Sequence, residues 1–499
     1  MTGRHVIHTG IYDPGSNRVE LSLNFTLLPQ HLSRLGYSCH MVGKWHLGYS
    51  SWRFVPQSRG FDSYFGYLHA SEDYYVHAGS TTNALNFWQN DEPAFQYTCL
   101  DGNYCPNDTY STNIFASKAE EIIKEMSVSD KPMFLYLAWQ GVHAPYQAPQ
   151  DVIDSLNGTI SDEVRRAYGG MVKMLDEGIA NVTSALEKYG MLNDTLIVFS
   201  SDNGAPVDSH DDMMGSNWPL RGTKQGLFQG GVRVPGFVTG AGIQSNRRGT
   251  TTHAKVHASD WLPTLLTMAA RSTGQGTSWR DVTSLGENEP EYMLGDGIDQ
   301  WDYLRGATDT EPRDEVLLEA HAQHNGQGNG NSLIVGDWKI LLRSGRGWPN
   351  VDDGWYGGAQ SSDPDLDGYA LPIGADTQPY TVQCPPPPGD FVTGYACEEV
   401  APGMKADSIE HACLFNLAED PCEQQDLSRV YPTKLAALWE RLKAYRNTSI
   451  DYVSSTTHNP DGLYCPHAVE YPDCPAPSDQ APMSCRATTP CDNPPPDQT

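Results

Sequence analysis

Positive charge is scarce in this sequence. Lys and Arg total 33 against 62 Asp and Glu, which leaves a formal charge of -29. So acidic a surface excludes general binding to nucleic acid or to anionic membranes, because like charges repel. An anionic substrate would have to meet a local cationic pocket. Long apolar runs are missing too: no stretch reaches the roughly 18 residues needed to span a bilayer. The first residues, Met1-Thr2-Gly3-Arg4-His5, lack the apolar segment of a signal peptide. No Cys-x-x-Cys stands with a second such pair or with paired histidines, so the usual zinc frameworks are absent. No internal repeat is present, and nothing speaks to oligomeric state.

What is there is the material of a large core. Of 499 residues, 38% are hydrophobic, with 12 Trp and 25 Tyr among them, so most of the chain folds. Asn-x-Ser/Thr acceptors occur at Asn24, Asn107, Asn157, Asn181, Asn193 and Asn447, more than chance comfortably supplies. The 11 cysteines crowd toward the C-terminus, at Cys384, Cys397, Cys413, Cys422, Cys465, Cys474, Cys485 and Cys491. Set among prolines, they read as disulfide staples rather than as metal ligands. Both features point to a secreted or lysosomal route.

The first 270 or so residues alternate helical and strand-like periods. Leu27 to Leu35 reads as a short helix ended by Gly36, and Tyr37 to Val42 as a strand. Thr112 to Met126 has apolar residues at helical spacing. Met133 to Trp139 and Thr195 to Ser200 are continuous apolar runs, the mark of strands buried on both faces. Val232 to Thr239 predicts a third strand, nearer an edge because of Pro235. Ser161 to Tyr189 predicts a long helix with Ser161 as N-cap and Gly190 as its stop. The alternation implies an α/β fold, a mainly parallel central sheet with helices on both faces. Beyond about residue 275 the texture changes. Asn331 to Arg343 predicts a hairpin turning at Gly336-Asp337, Leu414 to Leu417 a strand, and Thr433 to Asn447 an amphipathic helix. Three regions follow: an α/β domain at 1–275, a loop-rich region with a smaller antiparallel sheet and helix at 276–450, and a Pro- and Cys-rich tail at 451–499.

Open parallel sheets bind ligands beyond the carboxyl ends of their strands. Three predicted strands end in polar clusters there: Gly43-Lys44-Trp45-His46, Gly141-Val142-His143-Ala144-Pro145 and Ser201-Asp202-Asn203-Gly204. Asp202 and Asn203 offer oxygen ligands suited to Ca²⁺ or Mg²⁺, although an Asp-Asn-Gly turn is the plainer reading of them alone. Lys44 and His46 would project to one side of an extended chain, a cation and an imidazole suited to an anionic ester. Singly, a surface lysine and a packed histidine are the plainer reading of them. The same holds for His143 as a turn-capping imidazole, and for Lys224 as one more loop lysine.

Together and in this order, the segments resemble the sulfatase family of the alkaline-phosphatase superfamily, most closely its arylsulfatase B branch, the N-acetylgalactosamine-4-sulfatase type. The resemblance rests on TGRHVIHTG at 2–10, GYSCHMVGKWHLGY at 36–49, RGFDSYFGYLHASEDYY at 59–75, HAPYQAP at 143–149, FSSDNGAP at 199–206, NWPLRGTKQGLFQGGVRVPGF at 217–237, HASDWLPTLL at 257–266 and LFNLAEDPCEQQDL at 414–427. It implies that Asp202 and Asn203 ligate a calcium ion and that Lys44 and Lys224 bind the sulfate. It further implies that His46 assists a covalent nucleophile, and that His143 contacts the ester and protonates its leaving oxygen. A charged sulfuryl transition state is stabilised by just such fixed cations and a metal.

Two elements of the family pattern are missing. There, TGR closely follows a Cys-x-Pro-x-Arg motif whose Cys becomes the formylglycine nucleophile, with an Asp-Asp pair of calcium ligands further upstream. Neither occurs here, and Asn217-Trp218-Pro219-Leu220-Arg221 offers no oxidisable residue in its place. The resemblance therefore implies a sulfuric ester hydrolase acting on a sulfated glycan or aryl sulfate ester, with its nucleophile segment absent. The alternative is an inactive sulfatase-like protein that binds sulfated glycans. Retention of Lys44, His46, His143, Asp202, Asn203 and Lys224 favours the first. A phosphoester hydrolase would show a Ser or Thr nucleophile and more His and Asp ligands at zinc spacing, which are not found. A chromogenic aryl sulfate is expected to show no turnover with this chain. Clear turnover that His46→Ala abolishes would overturn the reading of a missing nucleophile.

Overall fold

A computed structural model describes residues 1–12, 20–49, 51–79, 85–94, 97, 110–206, 215–217, 219–283, 295–320, 330–343 and 408–450, with short strands at 468–470 and 486–488. The expected loops at 345–400, and most of the tail beyond 450, lie outside these residues.

The central sheet has five strands in the order β4-β3-β2-β1-β5. β1 (Ser38–Lys44) lies parallel to β2 (Ser63–Tyr67) on one side and to β5 (Met133–Ala138) on the other. β3 (Trp88–Gln89) and β4 (Glu92–Pro93) extend the sheet antiparallel. Alternation along β1 sets its two faces. Cys39 points at the helix Leu28–Arg34, its thiol within 3.5 Å of the Pro29 carbonyl. His40 points the other way, bonded to Ser63 at 2.7 Å. On that second face Phe65 and Tyr67 pack on Phe115 of the helix Ser111–Met126. That helix in turn packs on the long helix Glu163–Lys188. The helix Trp261–Thr273 joins Leu28–Arg34 on the first face, burying Leu262, Leu266 and Ala269. Each such leucine contributes about 1.5–3 kcal/mol by leaving water. Burial also pushes the Cys39 thiol up to about 12, so it stays protonated.

Several expectations need correction. The long helix is capped by Asp162, not Ser161: the Asp162 carboxylate accepts the Arg165 amide at 2.6 Å, and a carboxylate also suits the helix dipole. β5 is only half-buried, with Tyr136 38% exposed, although its apolar run predicts full burial. β6 (Leu196–Ser200) does not join the parallel sheet. It pairs antiparallel with β7 (Gly236–Gly240), and both strands are part-exposed. An apolar run reports capacity for burial, and full burial needs a neighbour on each edge and each face. Among the described residues β5 and β6 each pair along one edge.

The second sheet is antiparallel, in the order β11-β10-β9-β8. β9 (Gly330–Val335) and β10 (Trp338–Arg343) form the expected hairpin, flanked by β8 (Glu315–Glu319) and β11 (Cys413–Asn416). The helix Pro432–Arg446 covers it through Leu435, Leu438, Trp439 and Leu442, and Ile7 from the first helical turn enters the same core. Among the described residues no helix is long and apolar enough to cross a membrane.

At the carboxyl end of β1 the backbone itself is the constraint. Gly43 adopts φ 107°, and a Cβ there would lie 1.9 Å from the Ala138 carbonyl oxygen. Gly66 of β2 would meet the Gly43 carbonyl at 2.1 Å. Only glycine lets three strands close up beside the Lys44 turn. Gly43→Ala should lower unfolding stability by about 2–4 kcal/mol, read from urea midpoints. A midpoint equal to wild type would show that the strands can separate there.

Candidate functional site

The Gly43 close approach delivers Lys44 to the end of β1, opposite Tyr67 in the β2 register. The next two residues are pinned through backbone: the Trp45 amide donates to the Tyr67 carbonyl at 2.9 Å, and the His46 amide to the Leu68 carbonyl at 3.1 Å. His46 then turns to φ 53°, so the extended alternation expected of Lys44 and His46 stops at Lys44. His46 acts instead on His69, whose pKa falls to about 4 through burial and, secondarily, through His46. Sequence spacing alone could not show this turn.

His143 follows β5 in a braced loop. Tyr74 donates its hydroxyl to the His143 carbonyl at 2.9 Å, and Tyr110 donates to the Gln147 carbonyl at 2.8 Å. The Gln147 amide group donates to Asp73 at 2.6 Å and accepts from the Tyr74 amide at 2.9 Å. Asp73 and Tyr74 belong to the 59–75 motif, whose role sequence reasoning left blank. His143 Nδ1 donates to the Ala144 carbonyl at 2.8 Å, which leaves Nε2 as the acceptor in the neutral ring.

Asp202 and Asn203 form the turn after β6. Asp202 Oδ1 accepts the Asn203 amide at 2.8 Å, and the Asn203 side-chain nitrogen donates to the Gly204 carbonyl at 2.9 Å. That direction leaves the Asn203 amide oxygen available as a ligand. The Lys224 loop lies alongside. The Lys224 amide donates to the Ala205 carbonyl at 3.1 Å, and Asn217 grips both the amide and the carbonyl of Ala205, at 2.8 and 2.9 Å.

The charges of these residues act on one another. Burial lowers the Lys44 pKa; Asp202 raises it and Lys224 lowers it further. Burial lowers the His143 pKa, the Ala144 bond opposes this, Lys224 and Lys44 lower it, and Asp202 raises it. Asp202 also raises Tyr67, at the end of β2, and Tyr136, within β5. Lys44, His143, Asp202 and Lys224 therefore share one electrostatic site at the carboxyl end of the sheet. His46 is held beside it by backbone, and its charge bears on His69.

The donor set suits a hard cation in kind: a carboxylate and an amide oxygen. It does not suit one in number, since Ca²⁺ takes about six to eight oxygens. Among the described residues no group of three or more His, Cys, Asp or Glu is placed to hold a metal.

Residues 1–270 match the Sulfatase family. The chain is 31% identical to mouse arylsulfatase J over 466 residues, covering 90% of this chain and 67% of that one. It is 31% identical to rat N-acetylgalactosamine-6-sulfatase over 217 residues, covering 42% of this chain and 38% of that one. Among solved structures it resembles Ps i-CgsB in complex with k-i-k-neocarrahexaose, with TM-score 0.61, 20% identity, and 91% and 81% of the two chains covered. It also resembles a protein bound to its substrate D-glucosamine-2-N,6-O-disulfate, with TM-score 0.52, 15% identity, and 93% and 88% covered. These likenesses confirm the fold of the whole described chain. The family match and the arylsulfatase likeness establish that the chain belongs to the Sulfatase family, the sulfuric ester hydrolases.

Proposed function

We propose that this chain recognises the sulfate ester of a sulfated glycan or aryl sulfate for hydrolysis, and that Lys44, Lys224 and His143 are the groups that hold it. The observation that carries the reading is the mutual electrostatic influence of Lys44, Lys224, His143 and Asp202 at one sheet end. Two lysines brought together repel each other, and an anion that joins them removes that repulsion. A sulfate satisfies both, and its ester oxygen would meet His143.

His143 has a defined part in this scheme. Without substrate its pKa is depressed by burial and by both lysines, so the ring is neutral at neutral pH. Sulfate between the lysines cancels that repulsion and favours the imidazolium, which then protonates the leaving oxygen. The proton would sit on Nε2, because Nδ1 is already committed to Ala144. His46 assists the nucleophile and product release, as in the family. Asp202 and Asn203 contribute this chain's oxygens to a calcium site; when bound, the ion would neutralise charge on the sulfuryl oxygens. The site is carried by the α/β region at 1–275, with the smaller region at 276–450 packed on it.

A secretory route accords with this reading. Asn24, Asn157, Asn181, Asn193 and Asn447 are all exposed, and Asn107 lies outside the described residues. Cys413 and Cys422 are both disulfide-bonded.

Calorimetric titration of inorganic sulfate, in calcium buffer, tests the site. Lys44→Ala and Lys224→Ala should each weaken binding by about 10- to 100-fold, the worth of one charge-assisted contact. Unchanged affinity in either variant would remove that lysine from the site. The pH dependence has a definite sign. Because the free histidine's pKa is depressed and the bound anion raises it, affinity should rise as pH falls from 8 toward 5. His143→Gln should flatten that rise, and a slope that survives the substitution would assign it to another group.

A further inference from the structure

The Lys224 loop is gripped from two sides, and only one belongs to the α/β region. Toward the Asp202 turn, Thr223 donates its hydroxyl to the Ala205 carbonyl at 3.2 Å, and the Gly204 amide donates to Gly231 at 2.9 Å. These join the Lys224 and Asn217 bonds already described. A Cβ on Gly204 would fall 1.7 Å from the Gly230 carbonyl oxygen, so no side chain intervenes.

The opposite side is held by the antiparallel sheet. Lys339 is the second residue of β10, fully buried, where an apolar residue would be ordinary. Its ammonium donates to Glu423 at 2.5 Å and to the Leu227 carbonyl at 2.5 Å. Glu423, also fully buried, follows β11 in the 414–427 motif and takes φ 56°. Its second carboxylate oxygen accepts the Gln229 amide at 2.5 Å, and its carbonyl accepts from Arg221 at 3.1 Å. Phe228 lies between, with the Arg221 guanidinium 4.0 Å and the Lys339 ammonium 5.8 Å from its ring centre. The same phenylalanine sits in a small core with Leu341, Cys413 and Phe415. Every element of this clamp seizes the loop at residues 221–229, the stretch that carries Lys224.

An ion pair without solvent is weak evidence of a stability gain, since desolvation offsets its attraction. What such a pair does well is fix geometry, because neither charge has water to turn to. We propose that Glu423 and Lys339 are positioning residues of the anion site: from the antiparallel sheet they hold the Lys224 loop against the Asp202 turn, so that Lys224 stands beside Lys44. The proposal rests on the reading of Lys224 as a sulfate contact. It also gives the 414–427 motif, which lies outside the α/β region, a part in recognition.

Two measurements on the full chain separate this from its premise. Hydrogen exchange of amides at 226–232 should quicken about tenfold or more in Glu423→Gln and in Lys339→Met, while the helix Glu163–Lys188 keeps its protection. Inorganic sulfate should bind about tenfold more weakly to both variants, with the Lys339→Met/Glu423→Gln pair no worse than either single change. Glu423→Asp keeps the charge but withdraws it by one methylene. It should fall between wild type and Glu423→Gln in both readouts, and it serves if Glu423→Gln does not fold. Faster exchange with unaltered sulfate affinity, while Lys224→Ala still weakens binding, would leave the Lys224 reading standing and overturn the positioning role. Unchanged exchange at 226–232 would overturn it directly. Sulfate affinity indifferent to Lys224→Ala, or no sulfate binding by the unaltered chain, would overturn both.

Discussion

In the proposed site two ammonium groups that repel each other, Lys44 and Lys224, have to be kept within reach of one anion, and much of the described architecture serves that constraint. Lys44 reaches its place because Gly43 and Gly66 allow three strands to converge without side chains between them. Lys224 reaches its place through a loop fastened to the Asp202 turn on one flank and to a buried ion pair on the other. Neither lysine could hold its position by its own contacts, since a flexible four-carbon stem would swing its charge into water. Rigid backbone takes up the repulsion, and Asp202 supplies the compensating charge.

His143 fits the same economy of charge. Its carbonyl is held by Tyr74, its Nδ1 by the Ala144 carbonyl and the Gln147 end of its loop by Tyr110, which leaves the ring Nε2 to face a ligand. Depressing its basicity with two nearby lysines is a way to make protonation contingent on the anion. In the proposed scheme the three polar clusters at predicted strand ends differ in duty: the first two would meet the ester, and the third would give oxygens to a metal.

Much of this could be read before any coordinates. The glycine that ends β1, the apolar run of β5 and the Asp202-Asn203-Gly204 turn are local features, and local features survive in a linear sequence. The turn at His46 was not foreseen because a left-handed residue defeats the rule of alternation, and nothing in Lys44-Trp45-His46 announces one. β6 and β7 were assigned to the parallel sheet because an apolar pentapeptide does not state its partner or direction. Glu423 and Lys339 were missed for a different reason: 84 positions separate them. A sign was nonetheless present. Lys339 interrupts the run NSLIVGDWKILLR, and a lysine flanked by Trp338, Ile340 and Leu341 in a strand asks for a buried carboxylate.

Cys39 carries a consequence of another kind. It is the buried free thiol between the helix Leu28–Arg34 and β1, held protonated by its surroundings. Alkylating reagents attack thiolates in contact with solvent, so the native chain shields this sulfur twice over. Any labelling of Cys39 would have to await separation of that helix from its strand, which makes the residue a native chemical clock for opening at the sheet's centre.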